Sequence, residues 1–452
     1  ATPPILETWT EHQHFDDYWR RGSIALDYSA INVPTYLIGG WHDSYNSPLA
    51  RMSDALNVPK KTLIGPWGHT YPDMAAPTGL DWAHEEIRWW MHWLKNEDTG
   101  IMDQPSVWAF MPDETARDAL PDPIPGKWVS ASTPRSPTRL TPHLNSDQTL
   151  AEQPRDGAPL TTPDAGVVGQ TKPEWLDRLP IEQSYDDQRS LVFETAPLDT
   201  DIEVLGHPTL ELRLSASQPV AHIAIRLSEV TPDGASSLVS HALQNLTHRS
   251  GRDAPAPLEP DAAFTHRIPL SLTGHRFARG ARIRVAISES LWPLVWPAPV
   301  PAQLSIHPGA SSIALPIRTE TSDQHDFPIP VRTSPAPPPA AYEPVPPDAD
   351  GRIRIVNDTP PFAYPAPGVG TMLSSSTTET SEIIEGQPDA CRWTATSTSS
   401  WKRDDWDCAL EAGYDLTADA NTFFLREWLI AKRDGEQIFE RTHVSEIPRR
   451  FV

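Results

Sequence analysis

Cysteine is nearly absent from this chain, with only Cys391 and Cys408 among 452 residues. A small fold stapled by a disulfide framework is therefore excluded. The polar turn signal Lys402-Arg403-Asp404-Asp405 lies between the two cysteines. A hairpin folded there sets Cys408 opposite a residue near Ser399, not opposite Cys391, so both are expected as thiols. Positive charge is also scarce: 37 Lys and Arg stand against 60 Asp and Glu, a formal net charge of −23. Without a basic stripe the sequence offers no nucleic-acid groove, and no attraction to an anionic membrane surface. No apolar run approaches the roughly 18–20 residues that span a bilayer, so no membrane segment is expected. Ala1–Thr10 has neither the basic start nor the apolar stretch of a signal peptide, which makes the cytoplasm the expected compartment. The chain also opens on alanine rather than methionine, and the expectation is a processed or truncated chain.

Proline, by contrast, is abundant, with 50 residues, about twice its average share. That composition favours turns, edge strands and linkers, and it rules out an all-helical fold. At about 150 residues per domain, the length predicts two or three domains. No internal repeat of fixed period is visible.

The first hundred residues read as α/β. Asn32–Gly40 is a short apolar strand closed by glycines, and Lys60–Gly65 is a second. Between them Ser47–Leu56 has helical spacing, with Ser47 before Pro48 as its expected N-cap. Gly79–Lys95 is an amphipathic helix whose Ala83, Ile87, Trp90, Met91 and Leu94 share one face. Trp90 is thus expected in the core, with Trp89 and Trp93 on its flank beside His92. Alternating strand and helix predict a parallel sheet, and two strands alone need neighbours along their edges. From about Asp122 the pattern turns to β: Thr209–Ser215, Ala221–Leu227, Ala281–Ile287 and Ser312–Ile317 are short apolar or alternating runs. A Pro232-Asp233-Gly234 turn and an Asp434-Gly435 turn each join two such runs. Short strands with Pro/Gly turns predict an antiparallel sandwich or jelly roll.

Two segments could carry chemistry. Gly39-Gly40-Trp41-His42-Asp43 follows the first predicted strand, and Gly65-Pro66-Trp67-Gly68-His69 follows the second. Beyond the carboxyl ends of parallel strands is where open α/β sheets gather reactive groups. A carboxylate and an imidazole meeting there could serve as orienting acid and general base. Read from residues alone, the alternative stays open: both are loop residues and the glycines merely serve turns.

YLIGGWHDSYNSP followed by LIGPWGHT, with HFDDYWRRGSI upstream and EIRWWMHWLK downstream, resembles the CocE/NonD hydrolases. That family includes cocaine esterase, X-prolyl dipeptidyl-peptidases and α-amino-acid ester hydrolases. ISESLWPLVWPAP resembles the family's jelly-roll strand and its Trp-Pro loop. The resemblance implies the C-terminal edge of an α/β-hydrolase sheet followed by an antiparallel jelly-roll sandwich. It also implies Asp43 as triad acid and His69 as triad base. Trp41 and Trp67, adjacent in sequence to these loops, are expected beside the substrate, and neither a cofactor nor a metal is expected. His12, His14, Asp16 and Asp17 show no metal-ligand spacing, and the resemblance gives Asp16, Tyr18 and Trp19 a buttressing role. No Gly-x-Ser-x-Gly elbow occurs anywhere in the chain. Neither Ser44, beside Asp43, nor Ser47 sits where an elbow would present a hydroxyl.

The domain expectation is therefore residues 1–118 for the hydrolase part, 119–325 for the jelly roll, 326–350 for a Pro-rich linker and 351–452 for a β-rich extension packed on the jelly roll. The functional expectation is a serine hydrolase acting on a small ester, amide or peptide, X-Pro dipeptidyl-peptidase-like or esterase-like. Its nucleophile would come from an N-terminal segment in the same or a partner chain, leaving this chain inactive alone. The alternative is a noncatalytic β-rich interaction or carbohydrate-binding module with a vestigial hydrolase edge. Trp292 and Trp296 either reach the active-site rim or join two domains. The sequons at Asn245 and Asn357 carry no weight without a secretory signal.

Overall fold

The apolar run Asn32–Gly40 becomes a strand only from Thr35, because Pro34 has no N–H to give to a ladder. The computed structural model describes residues 4–75, 79–113, 124–164, 166–171, 182–319, 325–328, 343–404 and 406–452. Helices α1 (Ile5–Glu11) and α2 (Asp17–Arg20) precede β1 (Thr35–Gly40), α3 (Ser47–Ala55), β2 (Lys60–Gly65), α4 (Trp82–Lys95), β3 (Val107–Pro112) and β4 (Gly126–Ala131). The strands form one sheet in the order β1-β2-β3-β4. The first three are parallel, and β4 runs antiparallel to β3. The sheet thus continues to Ala131, past the residue-118 boundary drawn from composition, because β4 finds its hydrogen-bond partner in β3. Asn46, not Ser47, takes the N-cap position of α3.

Helix α4 turns a different face to the sheet from the one its spacing suggests. Trp82, Glu85 and Trp89 are its buried residues. Trp89 is 3% exposed, while Ile87 is 60% and Leu94 72% exposed. Tyr36 of β1 packs its ring against Trp82 and Trp89, which fixes the rotation of the helix. Glu85 tolerates burial because Arg88 donates to it at 2.7 Å. The expected core residue, Trp90, lies exposed.

The sandwich begins with the short strands β5–β8 (Arg139–Leu140, His143–Leu144, Leu150–Ala151, Leu160–Thr161) and α5 (Ser184–Asp187). It continues through β9–β12 (Leu191–Glu194, Ile202–Gly206, Thr209–Ala216, His222–Val230) and β13–β15 (Ser236–Asn245, Phe264–Pro269, Thr273–Phe277). Strands β16–β18 (Arg282–Ser288, Leu304–Ile306, Ser312–Pro316) close it. One layer centres on β11 and β18, the other is ordered β13-β12-β16-β9. Leu210, Leu212 and Leu214 from one layer meet Ile223, Ile225 and Leu227 from the other in a single core.

The last hundred residues make a six-stranded antiparallel meander, β19–β24 (Arg352–Pro365, Met372–Ile384, Gln387–Arg403, Trp406–Ala418, Thr422–Arg433, Glu436–Pro448). Asp434 and Gly435 turn β23 into β24 with φ of 51° and 83°, the left-handed pair that a two-residue hairpin requires. Cys408 lies opposite Trp401, two residues from the expected position, and both cysteines are thiols. Burial pushes the Cys391 thiol up to about 12. Trp292 packs with Ile353, Ile355 and Ile383, and Trp296 packs on Trp393 and Phe423. These two tryptophans therefore join the sandwich to the meander. The Pro-rich stretch at 329–342 lies outside the described residues. Beyond it, Gln170 and Val345 exchange hydrogen bonds of 3.1 and 2.7 Å. Helix α1 rests on β24, where Glu7 meets His443 at 2.9 Å. Among the described residues no helix is long and apolar enough to cross a membrane.

Candidate active site

Strands β1 and β2 end in register at Gly40 and Gly65. The chains leaving them stay bonded: Trp41 N–H donates to Gly65 O at 2.9 Å, and His42 N–H to Trp67 O at 3.1 Å. This close approach requires glycine. A Cβ on Gly40 would stand 1.9 Å from the Trp67 carbonyl oxygen, and one on Gly65 would stand 1.9 Å from the Trp67 ring. Gly40→Ala must therefore push the two loops apart at a backbone atom that no rotamer change relieves. The expected result is a loss of about 1–3 kcal/mol of stability, read as a lower denaturant midpoint at unchanged slope.

The paired loops bring the two sequence-predicted residues together. His69 Nδ1 and Asp43 Oδ2 are 3.0 Å apart. The other Asp43 oxygen, Oδ1, accepts from Tyr45 N–H at 2.8 Å, so the carboxylate is oriented from both sides. The Tyr45 ring meets the imidazole edge-on with centroids 5.5 Å apart. Asp43 is 12% exposed and His69 54%. A carboxylate on Nδ1 holds the proton there and turns Nε2 into the basic nitrogen.

The two tryptophans separate. Trp41 donates its Nε1–H to Phe110 O at 2.7 Å and lines a small depression with Asp43 and Ser44. The sandwich closes that depression with Leu238–His241 and Ser271. Trp67 is only 3% exposed and packs with Leu63, Trp82 and Trp108 and against the Trp128 ring, a core position rather than a pocket wall. Tyr45 and the sandwich residues were not read from the sequence. An aspartate two residues before Tyr45 was a local signal for the turn at Tyr45. Leu238–His241 and Ser271 carried none, because they come from β13 and from the connection between β14 and β15, about two hundred residues away. Asn46 ties the site to the sandwich by donating to Trp41 O at 3.2 Å and to Leu272 O at 3.0 Å.

The histidines near the start have other partners. His12 meets Asp16 at 2.5 Å, and His14 meets Arg450 O at 3.0 Å. Asp16 caps α2 and Trp19 donates to His12 O at 2.7 Å, which ties α1 to α2. Among the described residues no group of three or more His, Cys, Asp or Glu is placed to hold a metal ion.

Two family models match the chain. A family model described as X-Pro dipeptidyl-peptidase (S15 family) matches residues 1–71, which contain both Asp43 and His69. A second, described as X-Pro dipeptidyl-peptidase C-terminal non-catalytic domain, matches residues 99–326. A Mycobacterium bovis protein whose name proposes a serine esterase is 27% identical over 313 residues, 60% of this chain and 46% of that protein. Cocaine esterase from a Rhodococcus species is 23% identical over 326 residues, 64% of this chain and 54% of the esterase. Among solved structures, an α-amino acid ester hydrolase shares the fold with a TM-score of 0.57 at 21% identity, over 70% of this chain and 61% of its own. A CocE/NonD family hydrolase from Staphylococcus aureus does so at 0.55 and 16% identity, over 70% and 59%. The chain spans about half the length of the curated relatives it matches.

Proposed function

Because the chain belongs to the CocE/NonD hydrolase family, with its X-Pro dipeptidyl-peptidase-type C-terminal domain, we propose that it carries the acid–base half of a serine hydrolase. The reaction is acyl transfer from an ester, amide or peptide bond through a serine acyl-enzyme. The observation that carries this reading is the 3.0 Å contact between His69 Nδ1 and Asp43 at the carboxyl ends of adjacent parallel strands. Nε2 of His69 takes the serine proton as the hydroxyl attacks, then returns it to the leaving group. Asp43 holds the ring and stabilises the imidazolium formed in between.

The serine comes from a segment outside this chain. Ser47, the alternative within it, lies within 3.4 Å of Leu272 N–H and 3.3 Å of Asn46 Oδ1 and begins α3. Ser44 shares the turn that positions Asp43. Among the described residues β1 has a neighbour on one side only, and Ile87, Trp90 and Leu94 of α4 lie exposed. An open strand edge with exposed apolar side chains beside its sheet supports docking of further hydrolase sheet there.

A fluorophosphonate serine probe read by intact mass tests the assignment. The 452-residue chain alone is expected to take no adduct. After addition of a segment bearing a Gly-x-Ser-x-Gly elbow, a stoichiometric adduct should appear on that segment. An adduct on this chain alone would place the nucleophile within it and overturn the complementation.

A further inference from the structure

A second cleft, about 360 Å³ in volume, opens where the sandwich meets the C-terminal meander. Its sandwich wall is the segment after β16, including Leu291, Trp292, Trp296 and Val300. The meander adds Ile383, Gly386 of the turn between β20 and β21, and the first two residues of β21, Gln387 and Pro388. Volume and apolar lining fall within the range of small-molecule sites.

The polar groups of the cleft are unusual in their sign. Glu289 and Asp164 both line it, and no Lys or Arg does so among the described residues. Glu289 accepts from the Thr162 hydroxyl, while burial and the neighbouring Asp164 push its carboxyl up to about 7. His222 on β12 also lines the cleft, and burial pushes its imidazole down to about 4, so it brings no positive charge at neutral pH. The Arg449 guanidinium near this wall donates to the carbonyls of Pro297, Asp419 and Val452. Trp296 supplies an aromatic surface, and its Nε1 is buried without a hydrogen-bond partner among the described residues.

From this arrangement we propose that the cleft is a binding site for a hydrophobic organic ammonium, separate from Asp43 and His69, with the apolar body against Trp296 and Val300 and the cationic head at Glu289 and Asp164. Aromatic walls and carboxylates together favour a cation over a neutral or anionic ligand, because ring faces and carboxylates both present negative potential. An anion would meet Glu289 and Asp164 with no Lys or Arg among the described lining residues, while the nearby Arg449 guanidinium is already engaged by three carbonyls. The ammonium favours ionised Glu289, so binding releases its proton. Affinity should therefore rise between pH 6 and pH 8, as Glu289 in the ligand-free cleft loses its proton, while His222 stays neutral and Arg449 charged throughout.

The test is calorimetric titration of the 452-residue chain with benzyltrimethylammonium, using benzyl alcohol as the neutral counterpart. Saturable one-site binding of the ammonium is expected, with benzyl alcohol weaker by about tenfold or more. Glu289→Gln should weaken ammonium binding by about tenfold and flatten its pH dependence. Val300 is exposed, so Val300→Trp fills the cleft without disturbing a core and should abolish binding. His69→Ala should bind as the parent does. Absence of saturable binding, equal affinity for benzyl alcohol, or binding unchanged in both Glu289→Gln and Val300→Trp would overturn the site. Binding lost in His69→Ala would move the ligand to the hydrolase centre and overturn it as well.

Discussion

Replacing His69 by alanine, in the chain complemented with a segment bearing a Gly-x-Ser-x-Gly elbow, is expected to lower kcat for ester hydrolysis by at least about 10⁴-fold. Without the imidazole the serine must lose its proton to water, and the leaving group must depart without a general acid. Both half-reactions slow, so acylation and deacylation fall together and no acyl-enzyme accumulates. Folding should hardly notice. His69 is 54% exposed and contributes no packing to the core, so the unfolding midpoint should shift by no more than about 0.5 kcal/mol equivalent. KM should change little, because the imidazole acts on the reacting atoms rather than on substrate binding. Activity within tenfold of the parent would sink the assignment of His69 as base.

What could be read in advance was local. Lys60–Gly65 was legible to the residue, since an apolar β-rich run there is bounded by lysines on one side and Gly-Pro on the other. Asp434-Gly435 announced its hairpin because the left-handed pair of torsions is a property of those two residues. The meeting of Asp43 with His69 was legible for the same reason, each lying within four residues of its own strand end. The rotation of α4 was not. Apolar residues occur on both of its faces, and the buried one includes Glu85, whose charge is hidden only because Arg88 pairs with it. Lys61 was concealed in the same way: its ammonium lies 3.0 Å from each of the Gln104 and Pro105 carbonyls, so a buried strand position reads as a charged one. Trp67 was misread because adjacency in sequence to His69 says nothing about which side of the loop faces the core. The sandwich wall of the depression and the second cleft both join residues distant in sequence, and no pattern in a single chain encodes such pairings.

Asp43→Asn should cost about as much as losing the base, on the order of 10⁴-fold in kcat, although it changes almost nothing in shape. The asparagine Oδ1 can still accept from Tyr45 N–H at the 2.8 Å now spanned, so the turn that presents residue 43 should survive. What changes is the atom facing His69. In place of a carboxylate oxygen 3.0 Å from Nδ1 there is either an amide nitrogen, which donates, or an uncharged oxygen. An amide donor drives the imidazole proton from Nδ1 to Nε2, and the nitrogen that should take the serine proton then already carries one. With the amide flipped, the ring keeps its tautomer, but the Tyr45 N–H loses its acceptor and the imidazolium loses its counter-charge. Either route removes stabilisation that matters in the transition state and little in the ground state, so kcat falls while KM is nearly unchanged. A purely structural Asp43 predicts the opposite pattern, with stability falling in Asp43→Ala, recovering in Asp43→Asn, and activity following stability. Measuring kcat, KM and the denaturation midpoint for both variants separates the two. Asparagine restoring both stability and rate would reduce Asp43 to a turn residue and leave His69 without an orienting acid.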